Sequence, residues 1–168
     1  MAEVFRMERV SKPDYYLDIA ETVAKRATCL RRKYGAIIVK NDAIVATGYN
    51  GAPRGRRNCT ELGFCTRESM QIPRGERYEL CRAVHAEANA IISASREEMI
   101  GATMYLSGLN AATGELEPSV DSCMMCKRMI INSGIETVVF RLADGSYRVS
   151  RVEDWVTVDD SLSGKFGY

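Results

Sequence analysis

The sequence has a single histidine, almost no net charge and no long hydrophobic run. His85 is the one histidine among 168 residues, which excludes any metal site with two histidine ligands. A serine–histidine–acid triad, if present, would have to contain His85. The 23 basic and 22 acidic side chains give a formal charge of +1, whereas proteins that hold nucleic acid through its phosphates carry a clear basic excess. A long nucleic acid is therefore not expected as a partner, while a small phosphorylated molecule is compatible with this charge.

The start of the chain lacks the features of a targeting or membrane segment. Residues 1–10 mix charged and apolar side chains without the apolar stretch of a signal peptide, and no run approaches the roughly 18 to 20 apolar residues of a membrane span. We therefore expect a cytoplasmic protein without membrane association. In that compartment paired cysteines are usually metal ligands or redox groups, so the six cysteines are candidates for metal binding.

The order of the predicted elements indicates one α/β domain spanning residues 1–168. A capped helix begins at residues 11–14, and two strands at 36–39 and 43–49 are joined by a tight turn. Strands alternating with helices predict a layered domain whose sheet is at least partly parallel. The remaining elements are predicted as helices over 86–95 and 123–132 and as strands over 102–107, 135–141 and 147–149.

Two segments interrupt this pattern. Residues 51–82 are irregular and rich in glycine, proline and charge, and loops of this length are usually functional or held by a local clamp such as a metal. The tail from residue 159 is polar and contains glycine, and we expect it to be mobile.

Two short motifs carry the candidate chemistry. His85 and Glu87 open one predicted helix, and Cys123 and Cys126 open another. Cysteines three apart in the first turn of a helix point the same way, and a histidine from a second element can supply a third ligand. Three protein ligands with an open fourth position are typical of catalytic zinc, which activates a water molecule. Glu87 is placed to transfer protons without binding the metal.

Each motif has a common alternative when it stands alone. A Cys-x-x-Cys pair at a helix start is also found in redox pairs and in structural zinc half-sites, and an isolated His-x-Glu usually lies on a helix surface. The pair here comes late in the chain and lacks the flanking tryptophan and proline of thioredoxin-like proteins. The two motifs together, both opening helices, favour a metal centre.

These motifs resemble the zinc-dependent cytidine and deoxycytidylate deaminases, whose signature is H-x-E followed by P-C-x-x-C. The similarity is greatest to the deoxycytidylate (dCMP) deaminases and extends over about residues 14–142. It rests on residues 32–40, 48–55, 85–91 and 123–135, of which the Gly-Tyr-Asn-Gly-x-Pro-x-Gly run at 48–55 is specific to this branch. The resemblance implies a three-layer α/β/α cytidine-deaminase-like fold with a central mixed sheet of about five strands.

The same resemblance implies the reaction and its residues. His85, Cys123 and Cys126 would bind one catalytic Zn²⁺, and Glu87 would transfer protons while water attacks C4 of cytosine. The reaction would be hydrolysis of dCMP to dUMP and ammonia, which supplies dUMP for thymidylate synthesis. Asn50 would contact the nucleoside, and several arginines are eligible to bind the phosphate.

The family is also associated with regulation by dCTP and dTTP and with dimers or hexamers, so we expect a homo-oligomer. Backbone close to glycine, with arginines nearby, suits phosphate groups, whereas the alternative is a solvated basic loop. The candidate regulatory residues are Gly48, Tyr49, Asn50, Gly51 and Arg54.

The chain departs from the family signature at Ser122, which stands where the family has proline. Proline would fix φ ahead of the helix, and we expect Ser122 or Asp121 to cap the exposed N–H groups instead. The zinc geometry should therefore survive the change.

Four cysteines are left over: Cys29, Cys59, Cys65 and Cys81. Three lie in the 51–82 segment and the fourth ends the first helix. Four thiolates suffice for a structural zinc that would hold this segment, and some members of the family contain a second zinc. The alternative is that they are small core residues.

Other functions compete with dCMP deamination. Within the same chemistry these are cytidine deaminase, the deaminase step of riboflavin synthesis and tRNA adenosine deaminase. The low net charge disfavours tRNA, and 168 residues leave no room for the reductase domain that riboflavin enzymes usually carry. A zinc-stabilised binding module without catalysis is the alternative of a different class.

Overall fold

A mixed five-stranded sheet forms the centre of the fold in the computed structural model, which describes residues 8–159. The strand order is β2-β1-β3-β4-β5. Only the β3–β4 pair is parallel among the neighbouring strands, and the other three pairs are antiparallel. The predicted mixed sheet of about five strands is confirmed, with β1 at Arg32–Lys40, β2 at Ala43–Tyr49, β3 at Thr103–Asn110, β4 at Thr137–Arg141 and β5 at Tyr147–Arg151.

Helices cover both faces of this sheet. One face packs against α1 (Lys12–Ala24), and the other packs against α4 (Ala86–Ile92) and α6 (Met124–Ser133). The predicted α/β/α layering is therefore confirmed. Shorter helices are α2 at Cys59–Leu62, α3 at Thr66–Ser69, α5 at Arg96–Met99 and α7 at Val152–Thr157, with a 3₁₀ turn at Tyr78–Leu80.

Residues 36–39 of β1 form a continuous apolar run because both faces of the strand are covered there. Ile37 and Val39 belong to the core under α1, whereas Ala36 and Ile38 belong to the core on the opposite face. Successive side chains of a strand point to opposite faces, so a strand covered on both sides must be apolar at every position.

The ends of the first elements follow the sequence signals. Ser11 caps α1, because its Oγ accepts a hydrogen bond from the Asp14 N–H at 3.2 Å. The hairpin between β1 and β2 turns through Asn41 and Asp42, both with positive φ (49° and 63°), as a two-residue hairpin loop requires. Both predicted features are confirmed.

Several predicted boundaries differ from the structure. The helix predicted over 86–95 ends at Ile92, because Ser95 and Glu98 form a reciprocal capping box that starts α5. The strand predicted over 102–107 continues to Asn110, which pairs with Arg32 of β1. The mobile tail predicted from residue 159 falls almost wholly outside the described residues.

The two ends of the irregular segment lie next to each other beside the end of β2. Gly51 and Val84 form an isolated antiparallel bridge, with N–H···O distances of 3.2 and 2.8 Å. The segment between them contains α2, α3 and the 3₁₀ turn. The chain therefore returns to the end of β2 immediately before His85. Within residues 8–159, no helix is both long enough and apolar enough to span a bilayer.

Candidate metal centre

Three side chains from two helix starts converge on one point. His85 and Cys123 occupy the N-cap positions of α4 and α6, and Cys126 lies in the first turn of α6. His85 Nδ1 is 3.5 Å from the Sγ atom of each cysteine. All three ligand atoms lie within 4.8 Å of one another, and no other trio of His, Cys, Asp or Glu in residues 8–159 meets this spacing.

The chemistry of this trio fits zinc. One imidazole nitrogen and two sulfurs form a donor set that Zn²⁺ prefers, and both cysteines are buried. The adjacent Cys126 thiol and the His85 ring lower the pKa of Cys123 to about 4. A thiolate is the ligand form of cysteine, so Cys123 is suited to bind a cation within this buried trio.

Glu87 lies next to this trio in the first turn of α4. Its side chain is only 4% exposed, and burial raises the pKa of its carboxyl above the usual range. The Ser122 hydroxyl and the Cys126 sulfur are its neighbours. A buried carboxyl beside a metal seat can exchange protons with a ligand held there.

Helix α4 is held very close to β2. A Cβ atom on Gly48 would lie 2.3 Å from both the Ala86 carbonyl oxygen and the Ala90 nitrogen. Asn89 adds a hydrogen bond from Nδ2 to the Tyr49 carbonyl oxygen at 2.8 Å. The glycine is needed for this approach, which fixes the helix that carries Glu87.

A pocket opens onto the trio, and Asn50 lines it. Asn50 is 7% exposed; its Oδ1 accepts from the Tyr34 N–H at 2.7 Å and its Nδ2 donates to the Arg32 carbonyl oxygen at 2.9 Å. Strand β1 therefore fixes the orientation of the amide. One of the two N–H groups of the amide is left for a ligand.

The sequence reasoning did not identify Tyr78 as part of this pocket. Its ring lies 5.1 Å from the His85 ring, centroid to centroid, at an interplanar angle of 82°. The residue comes from the irregular segment, whose sequence has no periodicity that would place it beside the histidine. Only the contact created by the fold brings Tyr78 to the metal centre.

The prediction that Ser122 or Asp121 caps α6 is wrong. Cys123 is the N-cap, and its Sγ accepts from the Cys126 N–H at 3.4 Å. Asp121 instead accepts a hydrogen bond from the Ser122 N–H through its Oδ1, at 2.8 Å. Proline lacks that N–H, so the aspartate satisfies the donor that the serine introduces.

The four remaining cysteines surround one region without converging as tightly as the trio. Cys59 is buried, and both this burial and the neighbouring thiols of Cys29, Cys81 and Cys65 raise the pKa of its thiol. Cys81 also lies beside His85. The structure therefore brings the four residues near one another, and three of them, Cys29, Cys65 and Cys81, line the pocket that opens onto the trio.

The five candidate regulatory residues are divided between two surfaces. Asn50 lines the pocket of the metal centre. The other four, Gly48, Tyr49, Gly51 and Arg54, line a separate groove along β2 and α4.

A layered α/β/α domain with one histidine and two cysteines at helix starts, next to a buried glutamate, has the donor set and the carboxyl that a metal-dependent hydrolase requires. A family model described as the cytidine and deoxycytidylate deaminase zinc-binding region matches residues 10–142. The chain belongs to this family, and the predicted resemblance is confirmed.

Individual relatives support the same assignment. A deoxycytidylate deaminase of Mycobacterium phage D29 is 41% identical over 139 residues, which cover 78% of this chain and 97% of that protein. A deoxycytidylate deaminase of Schizosaccharomyces pombe is 36% identical over 132 residues, 79% of this chain but 37% of that protein. The crystal structure of the cyanophage S-TIM5 dCMP deaminase in complex with dCMP and dUMP matches with a TM-score of 0.52 at 25% identity, over 83% of this chain and 90% of that one.

Proposed function

We propose that this protein is a dCMP deaminase that hydrolyses dCMP to dUMP and ammonia. The observation that carries the proposal is the position of Glu87, buried beside the His85, Cys123 and Cys126 trio at the end of a pocket. The D29 relative, similar over almost its whole length, and the cyanophage enzyme complexed with dCMP and dUMP support the choice of substrate.

Different residues of this chain would bind the metal and transfer the protons. His85, Cys123 and Cys126 would hold zinc, which when bound supplies the Lewis acidity that lowers the pKa of water. Glu87 would take a proton from the attacking water and deliver it to N3 of cytosine, and a further proton would go to the departing amino group. Because Glu87 is shielded from solvent, these protons stay within the site instead of exchanging with bulk water.

Asn50 would orient the nucleoside. Strand β1 already binds its Oδ1 and one N–H, so its amide cannot rotate freely. The remaining N–H can donate to a ligand oxygen, for which the hydroxyl groups of deoxyribose are suitable acceptors.

Substrate assays test the proposal. We expect zinc-loaded protein to release ammonia from dCMP faster than from CMP, deoxycytidine or dCTP, each measured with and without added dCTP as activator. A clear preference for the unphosphorylated nucleoside would contradict the assignment to dCMP. Stimulation by dCTP and inhibition by dTTP would support regulation, and production of dUMP would make the enzyme a supplier of thymidylate synthesis.

A second, structural zinc held by Cys29, Cys59, Cys65 and Cys81 is part of the proposal. Its support is the effect of three of these thiols on the pKa of the fourth, buried one, which requires them to be neighbours. Their sulfurs are more widely spaced than those of the catalytic trio, so binding would have to draw them together. The six cysteines are all unpaired, which suits a cytoplasmic protein.

The groove along β2 and α4 is the proposed place for regulatory nucleotides and for contact with a second copy. Gly48, Tyr49, Gly51 and Arg54 line it, and its arginines suit phosphate groups. Three exposed apolar side chains, Ile44, Tyr49 and Ile92, line the same groove, and an exposed apolar patch favours burial against another subunit. The mass of the protein in solution, measured with and without dCTP, tests both ideas.

A further inference from the structure

A turn in the irregular segment presents one arginine to the pocket. The Glu76 N–H donates to the Pro73 carbonyl oxygen at 3.4 Å, and Gly75 has φ +86°. A positive φ at the third position of a β-turn favours glycine. Arg74 occupies the second position of this turn, is exposed to solvent, and lines the same pocket as Glu87.

Arg67 connects this turn to the candidate metal centre through Tyr78. Its Nη2 donates to the carbonyl oxygens of Pro73 and Glu76, at 2.8 and 2.5 Å, so it holds both ends of the turn. Its guanidinium lies 4.3 Å from the centroid of the Tyr78 ring, and that ring packs against His85. The position of the turn is thereby linked to a ligand of the proposed zinc.

Four arginines line the pocket, and three of them already form ion pairs or hydrogen bonds within the protein. Arg31 pairs with Glu68 at 2.9 Å. Arg32 pairs at 2.9 Å with Glu117, whose side chain is 4% exposed, and removing Arg32 from this pair would leave a buried carboxylate without compensation. Arg67 holds the turn.

Arg74 is the exception. In the described part of the chain, no carboxylate lies within 4.0 Å of its guanidinium, and none of its side-chain nitrogens donates a hydrogen bond. An arginine left unpaired at the rim of a pocket can offer two parallel N–H donors to a phosphate. It can do so without breaking an existing contact, whereas Arg31 and Arg32 would have to leave an ion pair and Nη2 of Arg67 its two hydrogen bonds to the turn.

We propose that Arg74 binds the 5′-phosphate of the nucleotide and so distinguishes dCMP from deoxycytidine. The proposal rests on the proposed deaminase function and assigns the phosphate to a residue of the irregular segment. The buried Nε of Arg67, which has no hydrogen-bond acceptor in the described structure, is an additional donor in the same pocket wall.

Binding of the reaction product tests this assignment without requiring turnover. Affinities of dUMP and deoxyuridine are measured on zinc-loaded wild type, Arg74→Gln and Arg77→Gln. Arg77 is the matched control, since it lies three residues away, pairs with Glu79 and is not among the residues that line the pocket. We expect Arg74→Gln to weaken dUMP by about 10- to 100-fold, the worth of a charge-assisted contact, while deoxyuridine affinity and the control stay unchanged.

Two outcomes would overturn the assignment. One is dUMP affinity in Arg74→Gln equal to that of wild type; the other is an equal loss of dUMP and deoxyuridine, which would indicate a damaged pocket instead of a lost phosphate contact. Turnover of dCMP by the wild-type protein is measured in parallel. A wild type that deaminates dCMP while Arg74→Gln retains dUMP affinity rejects the role of Arg74 and leaves the proposed function intact.

Discussion

Gly48 of β2 lies so close to Ala86 of α4 that an added Cβ would be 2.3 Å from the Ala86 carbonyl oxygen. Real Cβ atoms do not approach backbone oxygens this closely, so any side chain at residue 48 would push α4 away from the sheet. Ala86 lies between His85 and Glu87. The glycine therefore controls the position of a proposed zinc ligand and of the proposed proton carrier.

Gly48→Ala is expected to damage the metal centre as well as the stability. Overpacking of this kind typically costs about 1–3 kcal/mol. Gly35→Ala is the matched control, because its Cβ would lie 2.0 Å from the Ala20 carbonyl oxygen of α1, on the face opposite the metal centre. Chemical denaturation and zinc content measure the two effects.

We expect both variants to lose stability and only Gly48→Ala to lose zinc affinity and activity at a temperature where both are folded. Equal zinc affinity in the two variants would show that the spacing of β2 and α4 does not position the ligands.

Glu87→Gln is expected to stop ammonia release while zinc binding persists. The amide has nearly the same shape as the carboxyl but cannot carry the proton, and general acid–base catalysis contributes about 100- to 10,000-fold in rate. Ammonia release from dCMP and zinc bound per chain are measured on the same samples. Turnover equal to that of wild type would remove Glu87 from the mechanism, and loss of zinc together with activity would indicate a structural role.

The residues of the candidate metal centre can be predicted because their geometry is local. The first turn of an α-helix places Cys123 and Cys126 on one side, and His85 and Glu87 open another helix in the same way. What the sequence could not reveal is which side chains surround them. Asn50 was identified only through the family resemblance, and its hydrogen bonds to β1 depend on strand pairing.

The contacts within the irregular segment cannot be predicted from the sequence, because they too depend on the fold. Its length predicted a function or a clamp, yet the contacts of Arg67 with Pro73, Glu76 and Tyr78 join positions without any period. The bridge between Gly51 and Val84 joins residues that are 33 positions apart, so local propensity carries no signal for it. The sequence does not reveal α5 because its capping box begins at Ser95, the last residue of the helix predicted over 86–95.

The hairpin turn provides a prediction for acid stability. Asp42 accepts hydrogen bonds from Lys12 Nζ at 2.5 Å and from the Tyr16 hydroxyl at 2.7 Å, and these contacts lower the pKa of its carboxyl. A carboxyl whose pKa is lower in the folded state stabilises the protein above its unfolded pKa of about 3.9. This contribution is lost as the pH falls through the folded pKa.

Asp42→Asn should therefore lower the free energy of unfolding at pH 7 and reduce its fall between about pH 5 and pH 2. Asparagine tolerates the positive φ of this position and keeps an acceptor for Tyr16, so the substitution isolates the charge. Glu21→Gln on α1 is the control, because the described residues give this carboxylate no ion pair. The same pH profile in Asp42→Asn and wild type would contradict the prediction.

Zinc stoichiometry separates the two roles proposed for the cysteines. If Cys29, Cys59, Cys65 and Cys81 bind a structural ion, purified wild type should contain two zinc ions per chain, and Cys59→Ser should contain one. The ion that remains in Cys59→Ser should support deamination, because the catalytic trio is intact, whereas Cys123→Ser should also retain one ion but lose activity. The loss of a structural zinc should appear as a lower melting temperature, since metal binding contributes directly to folding. One zinc per chain in the wild type would reject the four-cysteine site and leave these residues as small apolar side chains packed around the irregular segment.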